Sequence, residues 1–317
     1  MIIFKPYFFV FLGLVLATHT TMAQQRPDVS SPERPNIVWI TTEDMSPRLG
    51  CYGDPVAQTP NIDQLARQSV RYTQVYSVSG VCSPSRSALI TGNYPSTIGT
   101  LHHRTTQKEN PHASPYVAVP PPEVKAFPEY LRAAGYYCSN NVKTDYQFGL
   151  PFSIWDESSA QAHWRNRPSK DQPFFAVFNS TLTHESGLFR PKFDNKNTES
   201  APSRITDRQA VVLPPYFPDH PEVREDVARQ YDNIYRMDAW VGDILAQLAE
   251  DGLAENTIVF FFSDHGTCLP RGKRWLYDSG IKVPLLVRWP RHLNAASIDE
   301  RMISFIDFAP TVLAWPG

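Results

Sequence analysis

Apolar and polar positions follow two rhythms along the chain. Short runs rich in β-branched and aromatic residues recur at Asn36–Thr41 (NIVWIT), Tyr136–Val142, Phe174–Asn179 (FFAVFN), Thr257–Ser263 (TIVFFFS), Val283–Trp289 and Met302–Ile306. Each has the length and content of a buried strand. Between them, apolar residues return every three or four positions, the helical period. Pro60–Tyr72 places Ile62, Leu65, Ala66 and Ser69 on one face. Ser83–Gly92 carries Pro84 in its first turn and ends on glycine, and Phe127–Ala134 stops at Gly135. The longest stripe, Val227, Tyr231, Ile234, Val241, Ile244, Leu245 and Leu248, defines a helix over Glu222–Asp251. Pro115–Pro122 reads as an extended connector and 185–221, polar and proline-rich, as a long surface excursion. Strands alternating with helices predict an α/β fold, a mostly parallel central sheet sandwiched by helices. In such sheets ligands bind beyond the carboxyl ends of the strands. Two acidic pairs fall there: Glu43-Asp44 after the first strand and Asp264-His265 after the TIVFFFS run.

Composition narrows the function. With 317 residues and 42% hydrophobic content the chain can bury a substantial core. A formal charge of −2 supplies no global field for nucleic acid, so an anionic substrate must be held by a local group of cations. Residues 1–23 read as a secretory signal: Lys5, an apolar run over Phe8–Ala17, then Thr21-Met22-Ala23 at a plausible cleavage point. The run is too short for a comfortable membrane span, so the mature chain should begin near Gln24 and work in a periplasmic or extracellular space, or a lysosomal-type compartment in a eukaryote. Residues 24–34 form a polar leader. Four cysteines, at 51, 82, 138 and 268, show no C-x-x-C spacing and are too scattered for a disulfide framework.

Cys82 differs from the other three by its neighbours, Cys82-Ser83-Pro84-Ser85-Arg86. Pro84 in the first helical turn puts Cys82 around the N-cap, where free N–H groups and the helix dipole favour an anion. Arg86, one turn on, can reach back toward the same point. On these five residues alone, a cysteine that caps a helix and a reactive cysteine are equally good readings.

The longer stretch Gly80–Gly92, GVCSPSRSALITG, resembles the sulfatase signature at every position. That resemblance implies oxidation of Cys82 to formylglycine by a maturation enzyme. It further implies a hydrated aldehyde whose first hydroxyl attacks sulfur and whose second expels sulfate. Glu43, Asp44, Asp264 and His265, with the modified Cys82, are similar in placement to the family's metal ligands. Hard carboxylate oxygens suit Ca2+, with Mg2+ second. Lys273, in KRWLYD, resembles the lysine of a K-x-x-x-Y-E element that touches sulfate, and His184 stands where sulfatases place a histidine near the leaving-group oxygen. Lys143 resembles the lysine of a G-K-x-H element. Cys82, Arg86, Lys143, His184 and Lys273 are thus the catalytic set that the resemblance implies. Three positions depart from the pattern: Glu43 is longer than the usual aspartate, His265 replaces an asparagine, and Asp145 replaces the histidine of G-K-x-H. His102-His103-Arg104 follow the signature helix and are candidates for the mouth of the pocket, with no role fixed, and Cys51, Cys138 and Cys268 read as structural, Cys268 lying near the expected site.

Residues 212–219 (VLPPYFPD) and 229–238 (RQYDNIYRMD) look most like the heparan N-sulfatase branch. This implies a sulfated glycan as substrate, with heparan-type N-sulfoglucosamine favoured over O-sulfated sugars. Alternatives are a phosphonate or phosphodiester hydrolase of the same alkaline-phosphatase-like superfamily and an inactive, truncated glycan-binding relic. Residues 306–313 (IDFAPTVL) resemble an element near the close of the family's large domain. The expected organisation is therefore a C-terminally incomplete catalytic domain over 35–317, lacking a smaller C-terminal domain and carrying an apolar seam where that domain would dock.

Overall fold

A computed structural model of the chain describes residues 34–105, 116–189 and 205–315. The signal-peptide reading of 1–23, nearly all of the leader, Pro115, and the middle of the 185–221 excursion lie outside the described residues. The elements in chain order are β1 (Asn36–Thr42), α1 (Pro60–Ala66), β2 (Val70–Tyr76), α2 (Cys82–Thr91), α3 (Pro95–Ile98), α4 (Phe127–Ala133), β3 (Tyr137–Asn141), β4 (Glu157–Ser158) and β5 (Phe174–Asn179). The second half continues with α5 (Pro221–Glu250), β6 (Thr257–Ser263), α6 (Asp278–Ile281), β7 (Leu285–Arg288), β8 (Ser297–Ser304) and α7 (Phe308–Ala314).

The strands form one sheet in the order β4-β3-β5-β1-β6-β7-β2-β8. Its pairings are parallel except those of β7, which runs against both β6 and β2. The α/β architecture expected from the alternating pattern is present. The central strands are buried along their length, as a sheet covered on both faces requires. On one face α2, α4 and α7 pack against Ile37, Trp39, Phe175, Val177, Phe260 and Phe262. On the other, α1 and α5 cover Val38, Ile40, Phe174, Ala176, Phe178 and Phe261. The two sets alternate along β1, as the period-two geometry of a strand dictates.

Two segments differ from the sequence expectation. The helix expected over Pro60–Tyr72 ends at Ala66, and 70–76 form β2. Ser69 turns its hydroxyl back onto the Leu65 carbonyl at 2.8 Å, closing the helix. From Val70 onward, pairing with β7 and β8 outweighs local propensity. The last strand starts at Ser297 rather than Met302, because 297–304 has a polar edge-strand pattern with little periodic signal. Near β8 a cavity of about 380 Å3 lies between strands and α7, lined by Phe260, Leu285, Met302, Phe308 and Trp315 among others. Ile298 and Met302 are exposed on the edge strand itself.

Residues 229–238, singled out above for lineage, work as structural ties. Asp238 of α5 accepts the Asn61 and Ile62 N–H groups at 3.2 and 2.8 Å, capping the N-terminus of α1. Asp232 likewise accepts the N–H groups of Ile205 and Thr206.

Trp39 is the densest point of the core. Its ring lies 5.1–5.9 Å from those of Phe127, Phe175, Phe260, Phe262 and Phe308, which joins three strands to α4 and α7. Trp39→Ala is predicted to cost about 3–5 kcal/mol of stability, the range for emptying a large aromatic site. Urea denaturation checks this, and a loss below about 1 kcal/mol would show that the helices collapse into the space.

Candidate active site

The sheet register brings the chemistry together. Thr42 of β1 lies opposite Ser263 of β6, and Thr41 lies opposite Asn179 of β5. Asn141 of β3 reaches Phe178. Four strands therefore finish side by side, and the residues after them, Glu43-Asp44, Asp264-His265, Lys143 and the turn leading to His184, open at one edge. Backbone bonds continue the sheet one step further: Asp264 N–H donates to the Thr42 carbonyl at 3.0 Å, and Ser180 N–H to that of Thr41 at 2.8 Å. Asp44 takes a left-handed backbone (φ 54°), a conformation that aspartate tolerates better than most residues, and this turns its carboxylate toward Asp264 and His265.

Helix α2 is pinned across these ends by its serines. Ser83 Oγ donates to Asp145 Oδ1 at 3.0 Å, Ser85 Oγ to the Asp264 carbonyl at 2.5 Å, and Ser87 Oγ accepts the Gln147 N–H at 3.0 Å. Val81 is the N-cap and Cys82 the first helical residue, one position inside the expected place. The thiol is fully buried, with Sγ 3.3 Å from His265 Nε2. All four cysteines are free.

Charges interlock around Cys82. Arg86 is buried between Asp264 Oδ2 (3.0 Å), Asn179 Oδ1 (2.8 Å) and Glu43 Oε1 (3.9 Å). It therefore joins the two acidic strand ends to the end of β5. Lys143 Nζ meets Glu43 Oε1 at 2.8 Å and Asp145 Oδ2 at 3.4 Å. Lys273 Nζ lies 2.9 Å from Asp44 Oδ2, 3.1 Å from Glu185 Oε1 and 3.3 Å from His184 Nε2. His265 Nε2 is 2.9 Å from Asp44 Oδ1.

These contacts set the protonation states. Burial pushes the Asp44 carboxyl up, but the His265 ring and Lys273 outweigh it and hold the group well below the usual range. Asp264 is lowered in the same way, against its burial, by His265 and Arg86. Glu43 goes the other way: burial raises its pKa, and Lys143 recovers only part of the shift. His265 is raised well above an ordinary imidazole because Asp264 and Asp44 overcome its desolvation. His184 is pushed down to about 4, chiefly by burial, and is neutral at physiological pH.

All nine residues expected at the site converge. Donor atoms of Glu43, Asp44, Cys82 and His184 lie within 4.8 Å of one another, as do those of Asp44, Cys82, Asp264 and His265. Buried carboxylate oxygens with one or two imidazole nitrogens fit a hard divalent cation. Asn179 and Glu185 also join the network without having been expected, and Arg104, a candidate for the pocket mouth with no assigned role, joins it through Asp145. Asn179 was accessible from sequence, since it ends the FFAVFN strand and obeys the same strand-end rule. Glu185 and Arg104 come from loops that carry no periodic or motif signal.

A family model for sulfatases matches residues 35–168 and 138–317. The chain belongs to the sulfatase family. It is 46% identical over 93% of its length to an ulvan-active sulfatase of Formosa agariphila, covering 54% of that protein. It is 29% identical over 88% of its length to human N-sulphoglucosamine sulphohydrolase, covering 60% of it. The chain thus spans somewhat more than half the length of these relatives. A solved structure in complex with its substrate D-glucosamine-2-N,6-O-disulfate superposes on 90% of this sulfatase and 77% of its own chain, with a TM-score of 0.62 at 19% identity. That likeness shows a shared fold.

Arg86 is the compensating charge for two buried carboxylates. Arg86→Met in the metal-free protein is predicted to cost about 3–5 kcal/mol, the penalty for leaving a buried charge unpaired. Arg67→Met on the surface should cost under about 1 kcal/mol in the same denaturation assay. Equal effects would mean that Glu43 and Asp264 are already neutral.

Proposed function

We propose that this sulfatase hydrolyses sulfate groups on an exported route, acting on a sulfated glycan through a formylglycine made from Cys82 and a divalent cation, Ca2+ ahead of Mg2+. The observation that carries the reading is the convergence on Cys82 of two acidic strand ends with Arg86, Lys143 and Lys273. The hydrated aldehyde supplies one hydroxyl for attack on sulfur and a second to release sulfate. The cation, held by Glu43, Asp44, Asp264 and His265, would polarise the sulfate oxygens.

The remaining work falls to the chain's own side chains. Lys143 and Lys273 place fixed positive charge on either side of Cys82, where a sulfate oxyanion needs preorganised partners. His184 is a neutral imidazole, its Nδ1 accepting the Ser186 N–H at 3.2 Å and its Nε2 toward Lys273 and Glu43, and in that state it is suited to accept a proton or a hydrogen bond beside the leaving group rather than to donate a proton. Among the described residues no helix is long and apolar enough to cross a membrane.

On substrate, the resemblance in 212–219 and 229–238 favours heparan-type N-sulfoglucosamine, but the relative at 46% identity makes a sulfated polysaccharide of the ulvan kind the reading we favour. The resemblance in 229–238 is accounted for by architecture: Asp232 and Asp238 cap backbone, and Gln230 Nε2 donates to the Asp44 carbonyl. None of these bonds reads a sugar. The relative at 46% identity is named for ulvan, the one at 29% for N-sulfoglucosamine.

Peptide mass spectrometry after co-expression with a formylglycine-generating enzyme should show the aldehyde at 82, and Cys82→Ala should abolish sulfate release while leaving the circular dichroism spectrum unchanged. An unmodified cysteine under those conditions sinks the catalytic reading. Sulfate release from O-sulfated ulvan fragments should exceed release from N-sulfoglucosamine, and the reverse ranking overturns the substrate choice.

Ca2+ at about a hundred times its Kd should stabilise the fold by about 2.7 kcal/mol, visible as a raised Tm that a chelator reverses. Asp44→Ala should remove the shift. A shift that survives the substitution places the ion elsewhere.

A further inference from the structure

At position 145 this chain carries a carboxylate beside a site built for an anion. An unscreened negative charge there would repel sulfate, yet Asp145 is far from unscreened. Arg104 grips it with a fork: Nε lies 3.0 Å from Oδ1 and 3.2 Å from Oδ2, and Nη2 lies 2.7 Å from Oδ2. Such bidentate pairing is the strongest arrangement open to a guanidinium and a carboxylate. The same carboxylate accepts Ser83 Oγ, the neighbour of Cys82, and faces Lys143 Nζ, which bonds Glu43. Asp145 thus connects Arg104 to both sides of the nucleophile position.

The arrangement is built into the backbone. Arg104 and Asp145 both have left-handed backbones, at φ 52° and 54°, a conformation uncommon for arginine and better tolerated by aspartate. Gln147, almost fully buried, locks the two loops together. Its Oε1 accepts the Arg104 N–H at 2.9 Å, its Nε2 donates to Thr105 Oγ1 at 2.6 Å, and its own N–H donates to Ser87 Oγ on α2. The loop bearing Arg104 is therefore referenced to the same helix that presents Cys82. Nη1 of Arg104 makes no hydrogen bond to the described residues, which leaves N–H groups of a guanidinium already paired with Asp145 open to an anion. Asp145, by its hydrogen bonds and its charge, holds the Arg104 guanidinium firmly in its charged form, and the Glu43 carboxylate adds to this.

We propose that Arg104 belongs to the anion-binding wall of the Cys82 site, with Asp145 as its positioning residue. Together the two present sulfate with a neutral pair carrying a free donor edge, where Asp145 alone would present a negative charge. This rests on the sulfatase reading for its substrate class, but not on turnover.

Inorganic sulfate is the probe, titrated calorimetrically into the Ca2+-loaded chain and its Arg104→Gln, Arg104→Lys, Asp145→Asn and Arg104→Gln/Asp145→Asn variants, each checked for a native near-UV spectrum. Arg104→Gln bares the carboxylate and should weaken sulfate binding about ten-fold or more, with Arg104→Lys falling between it and the wild type. Asp145→Asn should stay within about three-fold of the wild type, and the double variant should bind about five-fold tighter than Arg104→Gln alone, the sign of direct charge coupling. A wild type that binds no sulfate overturns the assignment. So does Arg104→Gln within two-fold of the wild type, or a double variant no tighter than Arg104→Gln, since a merely structural salt bridge gives no recovery. Sulfate binding with the expected ranking but no ester hydrolysis would sink the enzymatic reading and leave Arg104 in place. Hydrolysis with KM unchanged in Arg104→Gln would sink the Arg104 assignment alone.

Discussion

The structure depends on keeping Glu43, Asp44 and Asp264 together in a place with almost no water. An ion left unpaired at such depth costs several kcal/mol, so each carboxylate needs a cation from elsewhere in the chain. Arg86 comes from α2, Lys143 from the turn after β3, Lys273 from the loop after β6, and His265 sits between two of the acids. These contacts tie three strand ends and a helix into one object, and the Arg86–Asn179 hydrogen bond adds the end of β5. The position of α2 is set by this electrostatic demand as much as by Leu89 and Ile90 in the core beneath it.

The same balance explains why the arrangement suits sulfate chemistry. Without an ion, His265 is held as an imidazolium between Asp44 and Asp264. A divalent cation bound there, as proposed, would compete for those same carboxylate oxygens and would turn a locally balanced cluster into one that attracts a dianion. Rigid strand ends fix the acids, while loops bring in Arg104, Glu185 and Arg274. The division of labour is that of a scaffold with a variable rim. Trp275, Leu276 and Tyr277, exposed next to buried Lys273, belong to that rim.

Much of the site was legible because strand ends are legible. A short apolar run followed by acids, in an α/β pattern, places those acids at the ligand-binding edge whatever the strand order. The thirteen residues around Cys82 supplied the rest, since helix start, serines and Arg86 all lie within a few turns. Less visible were contacts between loops. Glu185 meets Lys273 and Arg274 across a long sequence separation, and Arg104 meets Asp145 the same way. The heparan-type resemblance of 229–238 had a different weakness: Gln230, Asp232 and Asp238 make backbone ties that a sulfatase scaffold can use whatever sugar it meets.

By itself the sequence determined the α/β class and the strand and helix stretches with strong periodicity, because period is carried by neighbours in the chain, while the nine convergent residues were named by strand ends together with the resemblance to sulfatases. Tertiary structure decided what depends on partners far away. It made 70–76 a strand, since pairing with β7 and β8 outweighs local helical spacing. It joined Arg86 to the two acidic strand ends, because the buried carboxylates after β1 and β6 needed its charge. It also gave Asp145 a guanidinium partner from forty-one residues upstream, which no local pattern encodes.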